Sequence, residues 1–292
     1  MKKYHLLFRV LLPLVFIFFC LNGFSQRGLN KKIDAVVAEG KLLYRCEMAS
    51  WNGTDLFMEK FPNKELIGGY FSYPLPESDS TRCIFYSKGL EPDVLFEMTF
   101  DESFLIEKGI LKMRKRSFSR TEKEYYIIRE LAVNEMSGDT LFKSYQNTNF
   151  NLIPLIEEKS KKVFVLTGPK IHNVVIFGND YLLEFNKNNK LIEKKALHKN
   201  MIPLEYGNEG QESLVTVHSH LPETGHLMTS TDICTLMLYS KYAGWDTHHV
   251  VSEKYLNIWS CKEETLNVIE MDVIQKINEI EETEKAKEGD NN

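Results

Sequence analysis

The residues best equipped for chemistry stand close together: Leu214-Val-Thr-Val-His218-Ser-His220, a loop from Leu221 to Met228, then Thr229-Ser-Thr-Asp232. Read as a strand, the first run projects His218 and His220 from one face, because side chains alternate along an extended chain. Thr229 has the chemistry of a helix N-cap, which places Asp232 at the third helical position with its carboxylate turned back toward the helix start. A strand ending in two imidazoles, a turn, and a helix bearing a carboxylate bring three ligands to one point. Two neutral histidines and a carboxylate suit Zn²⁺ and leave a fourth position for water, as in catalytic zinc sites. The pair His-Ser-His would say little by itself; the strand, loop and Thr-x-x-Asp helix start give it weight.

The elements that must hold these residues can be read around them. From Thr148 onward, Lys162–Thr167, Val174–Phe177, Tyr181–Phe185 and Leu191–Leu197 read as strands of a β-meander, joined by Gly168-Pro169, Gly178-Asn-Asp180 and Asn186-Lys-Asn-Asn189. Ser213–His220 reads as a strand, Ser230–Tyr242 as a helix, His249–Ser252 and Leu256–Cys261 as strands, and a helix begins near Met271. Before residue 148, Gly69–Tyr73, Cys83–Tyr86 and Val94–Phe100 read as strands, and Thr121-Glu-Lys-Glu124 starts a helix with an apolar stripe of Tyr125, Ile128, Leu131 and Ala132. The expected class is α+β. A β-rich domain over 27–147, whose ligand the sequence does not show, precedes a metal-binding mixed sheet flanked by helices over 148–275, and a charged tail spans 276–292.

The metal constellation resembles the JAMM (MPN) metallopeptidase family, whose motif is His-x-His, a loop, then Ser-x-x-Asp, with a Glu far upstream. The resemblance covers about residues 150–275 and implies His218, His220 and Asp232 as zinc ligands, with Thr229 in the place of the Ser that helps stabilise the oxyanion. Leu221 stands where the family has Pro, with Pro222 one place later, and the loop is one residue longer. The family's catalytic Glu sits at the start of a strand that here matches Lys162–Gly168, which puts Lys161 at its place; Glu157 and Glu158, one helical turn upstream, are the candidates for the role. The implied reaction is hydrolysis of an amide or isopeptide bond, with zinc lowering the pKa of bound water toward about 7 and a carboxylate taking the proton. The expected substrate is a cross-linked envelope peptide or an extracellular peptide. The alternative is a JAMM-like binding or scaffolding module of the envelope without activity, and a third is a secreted β-rich protein with coincidental histidines.

Composition narrows the partners. Of 292 residues 43% are apolar and 26% charged, which excludes disordered, collagen-like and multi-pass membrane classes. A formal charge of −5, with no recurring Lys/Arg stripe, argues against nucleic acid. Lys2, Lys3 and Arg9, the apolar run Val10–Leu21 and the polar exit Asn22–Gln26 follow the order of a bacterial signal peptide cleaved near Ser25. Cleavage after residue 25 removes three basic and no acidic side chains, which takes the charge from −5 to −8, and leaves no stable membrane span. The expected location is therefore periplasmic or extracellular. Four cysteines remain, permitting two disulfides, with 46 to 83 and 234 to 261 the preferred pairing. His172 and His198 read as meander-edge residues, His226 as a loop residue, His248 and His249 as one buried and one exposed, and Asn52-Gly-Thr54 as a turn.

Overall fold

The computed structural model describes residues 2–158, 160–207 and 215–289, with side chains from 27 to 281. The expected signal segment, 1–25, lies outside the described side chains. Among the described residues no helix is long and apolar enough to cross a membrane.

One helix, α1 (Lys2–Lys60), organises the molecule. No proline occurs between Phe61 and Leu14, and Ile33, Val36, Val37, Leu43, Cys46 and Ala49 recur at helical spacing along one side. Asn52–Thr54 is therefore part of a helix and not a turn. Beyond α1, β1 (Ile67–Pro74), β2 (Thr81–Ser87), β3 (Val94–Phe100) and β4 (Ile110–Lys112) form an antiparallel sheet in chain order. Helix α2 (Arg120–Met136) follows. Its capping box is Ser119 with Glu122, two residues ahead of the expected Thr121 with Glu124; Glu122 also receives Arg116 Nη1 at 2.7 Å, and this fixes the helix start.

The second sheet is ordered β5 (Thr148–Ile156), β6 (Lys161–Pro169), β8 (Tyr181–Phe185), β9 (Leu191–Ala196). The expected strands are all present, but they do not form a simple meander: β7 (Val174–Gly178) leaves this sheet and pairs antiparallel with β10 (Met201–Glu205). β6 is buried on both faces. Phe164 and Leu166 pack with Leu43, Cys46 and Leu238 on one side, while Val163 and Val165 pack with Ile128 and Ala132 of α2 on the other.

The last sheet is β11 (Val215–Ser219), β12 (Thr247–Val251), β13 (Tyr255–Ser260) and β14 (Thr265–Glu270). β11 and β12 are parallel, so they need a crossover, and α3 (Ser230–Ala243) supplies it. α4 (Met271–Gly289) continues as a helix into the expected charged tail. The molecule is α+β, as its sequence pattern predicts, with fourteen strands in four mostly antiparallel sheets among the described residues. The expected boundary at 147/148 falls between α2 and β5, yet α1 adds Ala49 and Phe57 to the core of the first sheet and Leu43 and Cys46 to that of the second. Its residues Ile33, Val36 and Val37 pack against the core that α3 shares with the last sheet.

Candidate metal centre

His198, His218, His220 and Asp232 meet in the interior, each offering one ligand atom, and these atoms all lie within 4.8 Å of one another. All four residues are buried. The three expected ligands thus converge, and a fourth, His198, joins them.

Each is positioned for a local reason. His218 lies on β11 and His220 just beyond it, on the face opposite the half-exposed Val215 and Val217. His220 N donates to Val251 O at 2.9 Å, which prolongs the pairing with β12 past the strand end. Asp232 is the third residue of α3 and closes the expected capping box. Thr229 Oγ1 accepts from Asp232 N at 3.1 Å, while Asp232 Oδ2 accepts from Thr229 N at 2.9 Å and from Thr229 Oγ1 at 2.7 Å. That leaves Oδ1 directed to the histidines.

His198 sits in the connection from β9 to β10, beside the turn from β7 to β8. Gly178 and Asn179 both take positive φ there, 73° and 50°. A Cβ on Gly178 would stand 2.2 Å from Asn200 O, so only glycine lets the two connections lie this close. Asn179 N donates to Asn200 O at 3.0 Å and Leu197 N to Asp180 O at 2.9 Å. Asp180 Oδ1 then accepts from His198 Nδ1 at 2.7 Å, and Thr231 Oγ1 donates to Asp180 Oδ2. On the other flank His218 Nδ1 and His248 Nε2 are 2.8 Å apart, and His248 Nδ1 is 2.7 Å from Thr216 Oγ1.

Polar atoms at the centre of the cluster lack partners. His218 Nε2 and Asp232 Oδ1 are buried without a hydrogen bond and face each other at 3.7 Å. Buried polar groups are rarely left so, because each unmade hydrogen bond costs about 1–3 kcal/mol. The electrostatics agree. Burial disfavours charge on His198, but the Asp180 and Asp232 carboxylates outweigh it and raise the imidazole to about 11. Burial pulls His218 down to about 4 and His248 to about 3. Burial works to raise Asp232, yet His198 and the other imidazoles hold its carboxyl well below the usual range. Two buried carboxylates thus hold one positive charge in place, carried here by the His198 imidazolium, and a metal ion in the cluster would take over that role.

The other expected residues fall elsewhere. Glu157 and Glu158 are exposed at the hairpin from β5 to β6, where Glu157 Oε2 accepts from Ser160 Oγ at 3.1 Å. The opposite end of β6, Thr167, is the end that reaches the site, through Thr167 Oγ1 donating to Asn179 O at 2.6 Å. Six residues of strand, about 20 Å at about 3.3 Å each, separate the two ends. The structure therefore does not bring Glu157 or Glu158 to the cluster. Lys161 is a buried cation on Glu124 and on Asn189 Oδ1, 2.6 Å away, facing α2. Thr229 is at the site, but its hydroxyl is committed to Asp232. Neither expected disulfide is formed: Cys46, Cys83 and Cys234 are buried free thiols and Cys261 a partly buried one. Cys46 and Cys83 lie in different core clusters.

Sequence reasoning missed His198, Asp180, Thr231 and His248. Thr231 lies inside the Thr229–Asp232 helix start, and its place two residues past the N-cap is the available signal. His198 and Asp180 carry no such spacing, since only the pairing of two connections brings them in. No family model matches the chain, and neither does any curated protein or solved structure.

Proposed function

We propose that this is an exported zinc-binding module in which His198, His218, His220 and Asp232 hold one zinc ion as four protein ligands, and that the ion fastens the β9–β10 connection, β11 and α3 into a binding or scaffolding unit of the cell envelope. The observation that carries this is the spacing of the ligand atoms. Ligands about 2.0–2.2 Å from a tetrahedral zinc stand about 3.3–3.6 Å from each other. His198 Nε2 is 3.1 Å from His220 Nε2 and 3.5 Å from Asp232 Oδ1, His218 Nε2 is 3.7 Å from Asp232 Oδ1, and the four ligand atoms lie within 4.8 Å of one another. Three nitrogens and one oxygen suit zinc, and four protein ligands are the mark of structural zinc sites. The surrounding groups fit as well: Asp180 on His198, and His248 with Thr216 on His218, orient rings in the way that partners of metal-bound histidines do.

A cavity of about 410 Å³ beside His198, lined also by Lys143, Tyr181 and Lys199, favours a second reading. In it the protein is a zinc hydrolase of envelope peptides or cross-links, similar to the JAMM family. His218, His220 and Asp232 alone would hold the metal, and the Asp180–His198 pair, with His198 made neutral by the neighbouring cation, would take the place of the family's Glu. Metal analysis of the purified protein and of His198→Ala separates the two. The first reading expects one zinc per chain, lost in the variant; the second expects zinc retained and peptide cleavage lost. Absence of stoichiometric metal from the wild-type protein overturns both. Export is tested by N-terminal sequencing of protein from the envelope, which should begin near Gln26.

A further inference from the structure

A second site lies away from the metal. A cavity of about 460 Å³ opens between α1, β5, the connection from β6 to β7, and the C-terminal half of α3. That volume lies within the range of small-molecule pockets. Tyr239, which lines it, is two helical turns beyond Asp232, about 10 Å along the α3 axis.

The composition of its wall is specific. Glu47 projects from α1 into it although 9% exposed. Its Oε1 accepts from Asn151 Nδ2 at 2.6 Å, and Asn151 Oδ1 accepts in turn from Asn149 Nδ2 at 2.8 Å. Among the described residues Asn151 is the one side chain hydrogen-bonded to Glu47, through Oε1, and no cation pairs with the carboxylate. Trp51, Tyr70 and Tyr239 supply aromatic surface around it, with the Trp51 and Tyr239 rings 5.7 Å apart. A buried carboxylate with no paired cation, set beside aromatic rings, is the chemistry that recognises an organic ammonium group.

We infer that this cavity binds a small primary alkylammonium ligand, whose cationic head pairs with Glu47 and whose carbon chain lies against Trp51, Tyr70 and Tyr239. The state of the unliganded carboxyl agrees with this. Burial pushes Glu47 up to about 7, so an arriving cation completes its ionisation. The neighbouring groups do not supply that charge. Cys83 is pushed up to about 12 by burial, and Tyr70, Tyr239 and Cys234 are also raised by burial, so they stay neutral at pH 7. The remaining charged or titratable groups of the wall are Asp55, Lys170, His172 and Tyr206.

The test is a calorimetric titration of the full protein with butylammonium, tetramethylammonium and neutral butanol, repeated on Glu47→Gln. The Gln variant keeps the volume and the bond to Asn151. Circular dichroism and thermal unfolding report whether it is folded, and Trp51→Leu serves as a second variant. Butylammonium should bind saturably, with affinity reduced roughly tenfold or more in Glu47→Gln, as loss of a charge-assisted hydrogen bond requires. It should also weaken in Trp51→Leu. Butanol should bind at least tenfold more weakly than the ammonium. Equal binding of butanol, preference for tetramethylammonium, undiminished binding in folded Glu47→Gln, or no binding at all overturns the assignment. None of these outcomes depends on what the metal does.

Discussion

At the scale of single residues, charge is placed where only a partner makes it tolerable. Asp180 does not reach the metal position itself, but it holds His198 and is held by Thr231. Asp180→Asn should leave the fold intact and lower zinc affinity about 10–100-fold, the usual cost of losing such a partner, as read by competition with a chromogenic chelator. An unchanged affinity would remove His198 from the ligand set. Glu47 gives a prediction with a defined sign. Its folded pKa, about 7, exceeds the unfolded value, so its stabilising contribution is complete below the ordinary carboxyl range and disappears as pH rises to about 7. Glu47→Gln should therefore gain on the wild type as pH rises from 5 to 8, by as much as about 3 kcal/mol in urea unfolding without ligand. Parallel pH profiles would show that the carboxylate is already compensated.

Secondary-structure elements show why some of the site was legible and some was not. His218 and His220 could be read because a strand has period two, and Asp232 because an N-cap threonine has a recognisable partner three residues on. Both signals are local. β7 could not be placed, because its sequence marks it as a strand without saying which sheet takes it, and it is the strand that carries the chain to Asp180. Residues 27–60 form a helix ahead of the strand-rich run 67–100 that marks this half as β-rich, and polar Glu47 and Ser50 on that helix face the second cavity. The JAMM-like register put Lys161 beside the metal, whereas the β5–β6 hairpin carries it to the far end of the sheet. A prediction follows from the turn from β7 to β8. Gly178→Ala sets a methyl against Asn200 O and demands positive φ of an alanine, so it should separate the two connections. We expect lower thermal stability together with loss of zinc. Loss of stability with full zinc retention would show that the β9–β10 connection keeps its place without the turn.

Across the whole molecule, α1 and α3 lie close together at Gly40, where a Cβ would stand 2.7 Å from Ile233 and 3.0 Å from Ser230 O, both within two residues of Asp232. The N-terminal segment therefore sets the position of the helix that carries Asp232, one of the candidate metal ligands. Gly40→Leu should displace the start of α3 and weaken zinc binding, although residue 40 belongs to the stretch farthest in sequence from the ligands. Affinity equal to wild type would show that α3 is held by its own sheet alone.

The length of α1 has a further consequence. Residues 137–147 form no helix or strand, so a backbone cut there severs the only covalent link between the segment bearing α1 and the segment bearing the ligands. Because Leu43 and Cys46 of α1 complete the core around Phe164 and Leu238, neither piece can bury its apolar surface by itself. Expressed apart, the two pieces should be poorly folded and unable to retain zinc; mixed, they should reassociate and recover it. The ion would then report fragment complementation, with the N-terminal piece acting as a folding partner for a site to which it contributes no ligand.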